Sequence, residues 1–122
     1  NYSHYEKMMQ PILSKMRKAF PKTDFLLVST ADRAFRYGGE YKTAIGIPNL
    51  IQTQAKLAFD NKMAFYNQFE SMGGENSIVR WATQSPPLAN KDYIHPNGKG
   101  AEVLAEKIYN AIIQDYKKYK RK

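Results

Sequence analysis

The residues best suited to chemistry lie in one stretch near the end of the chain, Asp92-Tyr93-Ile94-His95-Pro96-Asn97-Gly98-Lys99-Gly100. An aspartate and a histidine three residues apart, on a loop just ahead of a helix, allow the carboxylate to fold back onto one imidazole nitrogen. That bond fixes the tautomer and stabilises the imidazolium, and it leaves the second nitrogen free to take a proton from a hydroxyl. Pro96 restricts His95 to an extended or turn conformation, while Gly98 and Gly100 permit a sharp entry into the helix. The same two residues also admit a purely structural reading, in which His95 caps the last helix or bonds Asp92 only to hold the loop.

A base of this kind needs a nucleophile, and none is evident. The six serines (Ser3, Ser14, Ser29, Ser71, Ser77 and Ser85) all lack a G-D-S or G-x-S-x-G context, and there is no cysteine. His4 reads as a surface residue. Two histidines without H-E-x-x-H or comparable spacing argue against a metal site. Gly38-Gly39 and Gly73-Gly74 lack the following Lys-Ser/Thr of a phosphate loop and read as turns.

The elements that would position Asp92 and His95 follow from hydrophobic periodicity. Ser3 and Glu6 form a capping-box pattern ahead of Tyr5, Met8, Met9, Ile12, Leu13, Met16 and Phe20, the stripe of a half-buried helix that Pro11 should bend or split. Phe25 to Val28 is a short continuous apolar run, expected to be a strand buried on both faces. Ser29 to Lys42 reads as a long loop. Pro48 suits the first turn of a helix striped by Ile47, Leu50, Ile51, Ala55 and Ala58 and closed by Asn61. Met63 to Phe69 reads as a second strand, making a right-handed parallel βαβ unit with the first. A short helix around Ser77 to Ala82 carries Trp81, and Ser85-Pro86-Pro87 breaks it. The last helix starts near Asn97-Gly98, with Ala101, Leu104, Ala105, Ile108 and Ile112 as its buried stripe. Two strands make a poor sheet for three amphipathic helices, so the pattern is that of the C-terminal part of an α/β domain.

Composition sets outer bounds. With 122 residues, 43% hydrophobic and 25% charged, the chain is ordinary globular protein of one-domain size. No apolar run approaches the ~18 residues of a membrane span. The first residue is Asn1, which suggests a processed product or a piece of a longer protein. The net charge of +8 is concentrated in Lys117, Lys118, Lys120, Arg121 and Lys122. Such a tail suits the negative end of a helix dipole. With Tyr116 and Tyr119 it also leaves a nucleic-acid-binding reading open, though a less favoured one.

The block D-Y-I-H-P-N-G-K-G-A-E-V-L-A-E-K-I resembles the closing block of the SGNH (GDSL-type) hydrolases. The resemblance implies part of a small flavodoxin-like α/β/α sandwich with parallel strands, residues 1–122 forming the C-terminal portion of one hydrolase domain with a basic tail at 117–122. It implies a serine esterase in which Asp92 is the acid and His95 the base of a Ser-His-Asp triad. It implies no cofactor, and a secreted or periplasmic setting. The family's serine block and its oxyanion Gly and Asn are absent here, so the nucleophile is expected upstream, on the missing part of the same domain, and the chain alone is expected to be inactive. Acyl esters are the implied substrates, O-acetylated carbohydrates among them. Arg33, Arg36, Tyr37, Tyr41 and Trp81 are the expected lining of a substrate cleft. An alternative is an inactive hydrolase-like module that binds carbohydrate or serves as a scaffold.

Overall fold

The apolar spacing of the first twenty residues does produce a helix, and it opens a chain that alternates helices with short strands. In the computed structural model, which describes residues 1–122, the order is α1 (Ser3–Ala19), β1 (Leu26–Val28), β2 (Ala34–Tyr37), β3 (Glu40–Thr43), α2 (Ile47–Asp60), β4 (Ala64–Tyr66), α3 (Gln68–Met72), α4 (Ser77–Thr83) and α5 (Gly98–Lys120). These elements group into two compact units. One comprises Asn1–Thr30 with Ile45–Asn67, the other Ala31–Ala44 with Gln68–Lys122.

The first unit holds the parallel pair. β1 lies beside β4 in the register Leu26↔Ala64, Leu27↔Phe65 and Val28↔Tyr66, as the βαβ reading requires. Side chains alternate across a strand. Leu27 and Phe65 therefore join Leu13, Leu57, Ala58 and Met63 in the core, while Leu26 and Val28 point the other way and are 43% and 38% exposed. The expected burial of this strand on both faces is thus corrected: one face is covered and one is open.

Helix α1 runs through Pro11 unbroken. Its apolar stripe divides into two ridges: Tyr5, Met9 and Leu13 pack on the core, and Met8, Ile12, Met16 and Phe20 are exposed. The capping box does not form. Ser3 is already inside the helix, its N–H donating to Asn1 Oδ1 at 3.0 Å, and Glu6 instead pairs with Lys56. That carboxylate and Asp60 together hold the Lys56 ammonium well above its ordinary pKa. Pro48 does enter the first turn of α2. Asn61 closes the helix, its side-chain amide donating to Leu57 O at 2.7 Å. Arg17 then ties the two helix ends together, donating to the carbonyls of Thr23, Asn61 and Lys62.

In the second unit the expected long loop is a hairpin. β2 and β3 pair antiparallel from Ala34↔Thr43 to Tyr37↔Glu40. Gly38 and Gly39 make the two-residue turn, with φ of +58° and +90°. Tight hairpin turns of this length favour such left-handed residues because their twist matches that of the strands. The second predicted strand is also shorter than expected. It ends at Tyr66, and Phe69 belongs to α3, buried. Helix α4 follows the Ser77–Ala82 expectation and extends to Thr83. Its first turn is capped by Asp32, a side chain only 1% exposed, which accepts from Ser77 Oγ at 3.3 Å and Ile78 N at 3.0 Å.

Helix α5 begins at the residue the sequence suggested, but its buried face is rotated from the expected stripe, sharing Leu104 and Ile108 with it. Gly100, Val103, Leu104 and Ile108 are buried or half-buried, and Ala101, Ala105 and Ile112 are exposed. Gly100 sets this phase. A Cβ there would overlap the Leu88 carbonyl, so only glycine lets the backbones meet. No helix is long and apolar enough to cross a membrane.

Candidate active site

The Asp92–His95 turn is carried by a short antiparallel ladder in the second unit. Beyond α4, the N–H groups of Leu88 and Ala89 donate to Trp81 O at 2.7 and 3.3 Å. Ala89 pairs with Pro96, Asn90 N donates to His95 O at 2.9 Å, and Asn97 N donates to Leu88 O at 2.9 Å. Asn97 then caps α5, its Oδ1 accepting from Gly100 N at 2.9 Å and its Nδ2 donating to Pro87 O at 2.8 Å. Residues 91–94 are left to close the ladder as a tight turn.

Within that turn Asp92 is fully engaged. Its Oδ1 accepts from the N–H groups of Ile94 at 2.9 Å and His95 at 3.1 Å, while Oδ2 lies 2.7 Å from His95 Nδ1. The histidine contact, followed by the two backbone N–H groups, holds the Asp92 carboxyl down at about 2. Asp92 is therefore ionised at neutral pH and can only accept, which requires Nδ1 to carry the proton. In a neutral imidazole the other nitrogen, Nε2, is then a free base. The His95 side chain is 70% exposed and bonds only through Nδ1, so Nε2 is open to an incoming hydroxyl or water.

Tyr93, which the sequence reading passed over, adopts φ +58° between the acid and the base. Left-handed backbone costs a non-glycine residue about 1–2 kcal/mol. Its carbonyl accepts from Ala34 N at 2.9 Å, and its ring lies 4.2 Å from that of Tyr41, centroid to centroid.

The other cleft candidates separate. Arg36 and Tyr41 are cross-strand partners on one face of the hairpin, and Tyr37 lies on the opposite face. Arg36 Nε donates back to Gly39 O at 3.3 Å. The Arg33 guanidinium covers the Phe35 ring, 5.1 Å from its centroid. Tyr41 reaches the turn through its ring contact with Tyr93. Trp81 is corrected: at 6% exposure it belongs to the core with Ala34, Met72, Ile78, Ala82 and Ala89 and lines no cleft. Packed on the buried face of α4, the indole removes its large apolar surface from water.

No family model matches the sequence, and neither does any curated protein. Over 93% of its length the chain is similar to a solved structure described as a peptidoglycan O-acetylesterase in action, with a TM-score of 0.83 at 19% identity. The chain shares the fold of that structure, in keeping with the fold that the resemblance to the SGNH-type hydrolases implied. The chain spans 32% of that esterase's chain, so the α/β/α sandwich it shares with the SGNH-type fold is a partial one. The β1–β4 parallel pair is the part of the expected parallel sheet that this chain contains.

Proposed function

We propose that this chain supplies the acid and the base of a serine ester hydrolase whose nucleophile and oxyanion donors lie on polypeptide upstream of Asn1. The observation that carries the reading is the 2.7 Å contact between Asp92 Oδ2 and His95 Nδ1 beneath an exposed imidazole. Asp92 holds the tautomer. His95 Nε2 takes the proton of the attacking serine hydroxyl as its oxygen bonds to the ester carbonyl carbon. The same nitrogen returns that proton to the departing alcohol, leaving an acyl-enzyme. It then deprotonates a water that releases the acid and restores the serine.

Acetyl esters on carbohydrate are the proposed substrates, because the similar solved structure is described as an esterase of O-acetylated peptidoglycan. Arg36 and Tyr41, which share one face of the hairpin, are the proposed contacts to the sugar; Arg33 and Tyr37 stand apart from them. In the full-length protein, His95→Ala is expected to lower kcat/KM for an acetyl ester on the order of 10³-fold or more while leaving the fold intact. Turnover within a few-fold of the parent protein would overturn the assignment.

A further inference from the structure

The turn that brings Asp92 onto His95 has to pass through Tyr93, and Tyr93 passes through it in a conformation that glycine adopts freely and tyrosine does not. Two contacts meet it there, and both come from the hairpin. Ala34 at the start of β2 donates its N–H to Tyr93 O at 2.9 Å, and Tyr41 of β3 stacks on the Tyr93 ring with a 39° tilt. Tyr93 also packs against the core cluster built on Ala34, Met72, Ile78 and Trp81. Its backbone is thus gripped at the carbonyl and its ring on the aromatic face, one residue beyond Asp92 and two before His95. No comparable brace acts on the acid directly: every hydrogen bond of the Asp92 carboxylate comes from residues 94 and 95.

We propose that Tyr93 is a positioning residue for the acid–base pair, with the β2–β3 hairpin acting through Tyr41 and Ala34 to hold the turn that keeps Asp92 on His95 Nδ1. This rests on the reading of Asp92 and His95 as acid and base. Tyr93 touches no reacting atom in this scheme. The hairpin, distant in sequence from the turn, becomes part of the machinery that sets the histidine tautomer.

The test has a readout that needs no substrate. In the 122-residue chain, NMR titration follows the Asp92 carboxyl carbon and the His95 Nδ1–H resonance. Tyr93→Phe keeps the ring and is expected to leave both as they are. Tyr93→Ala keeps the strained backbone without the stack, and is expected to move the Asp92 midpoint up from about 2 towards an ordinary aspartate near ~4 and to broaden the Nδ1–H signal. Tyr41→Ala removes the same stack from the exposed side and is expected to move both in the same direction, which covers the case of Tyr93→Ala failing to fold. A contact of Tyr41 with sugar has no influence on a measurement made without substrate. In the full-length esterase, Tyr93→Ala is expected to lower kcat by about 10- to 100-fold with KM little changed. Wild-type Asp92 and His95 signals in both Tyr93→Ala and Tyr41→Ala would overturn the proposal. If His95→Ala leaves ester turnover intact while the Asp92 midpoint still moves in Tyr41→Ala, the acid–base reading falls and the brace on the turn stands.

Discussion

Asp92 draws its properties from three hydrogen bonds packed into four residues. Because its carboxyl is held at about 2, below the ordinary aspartate value, the folded turn binds its proton less readily than an open chain does. The contribution of the ionised form is therefore fully present above pH ~4 and is lost as the pH falls through about 2. A carboxyl-carbon titration of the chain should show this midpoint, and one near pH 4 would contradict the closed turn. Asp92→Asn should separate chemistry from stability. An amide lacks the charge that selects the Nδ1–H tautomer, so under the proposed function ester turnover in the full-length protein should fall on the order of 10³–10⁴-fold. The group is exposed and its pairing is screened by solvent, so the urea midpoint should move little. The D-x-x-H spacing made this pair legible, since the whole interaction is local. Tyr93 was not legible, because its meaning depends on Tyr41, whose proximity only the folded hairpin creates.

At the scale of elements, the glycines separate what sequence shows from what it hides. Gly38-Gly39, standing between A-F-R-Y and E-Y-K-T, was a readable hairpin signal: two turn residues flanked by strand-length runs. The polarity of the segment argued for a loop, but a hairpin with solvent on one face satisfies polar alternation equally well. Gly98 and Gly100 look equivalent in the sequence and are not. A Cβ at Gly100 would meet the Leu88 carbonyl, whereas one at Gly98 would meet nothing. Gly100→Ala should therefore destabilise the second unit by about 1–3 kcal/mol as α5 is pushed off its ledge. Gly98→Ala should be neutral or stabilise by less than ~1 kcal/mol, since alanine is the better helix former. Thermal denaturation of the two variants compares them directly, and equal shifts would exclude the close approach as the cause. The exact phase of α5 is hidden for the same reason. Its apolar residues cover a broad arc that includes Leu104 and Ile108, and the contact of Gly100 with Leu88, invisible in the sequence, selects which part of that arc is buried.

For the whole molecule, the mismatch between strands and helices noted in the sequence has a physical counterpart. β1 pairs only with β4, which leaves its other edge without ladder partners, and Leu26 and Val28 stand exposed on the open sheet face of the same unit. Elsewhere on the same unit, Met8, Ile12 and Met16 of α1, with Phe20 just beyond it, add further exposed apolar surface. An unpaired edge bearing apolar side chains is a template for another strand, so the 122-residue chain should self-associate at high concentration. The net charge of +8 opposes this. Screening weakens that repulsion, since the Debye length falls from ~10 Å at 0.1 M salt to ~3 Å at 1 M. Association seen by sedimentation velocity should therefore strengthen with salt, the reverse of a contact held by ion pairs. Leu26→Lys with Val28→Lys should abolish it without lowering the melting temperature by more than a few degrees, because those side chains already lie largely in water. If the double variant associates as strongly as the parent chain, the open strand is not the adhesive surface; if it unfolds, Leu26 and Val28 contribute more to the first unit than their exposure implies.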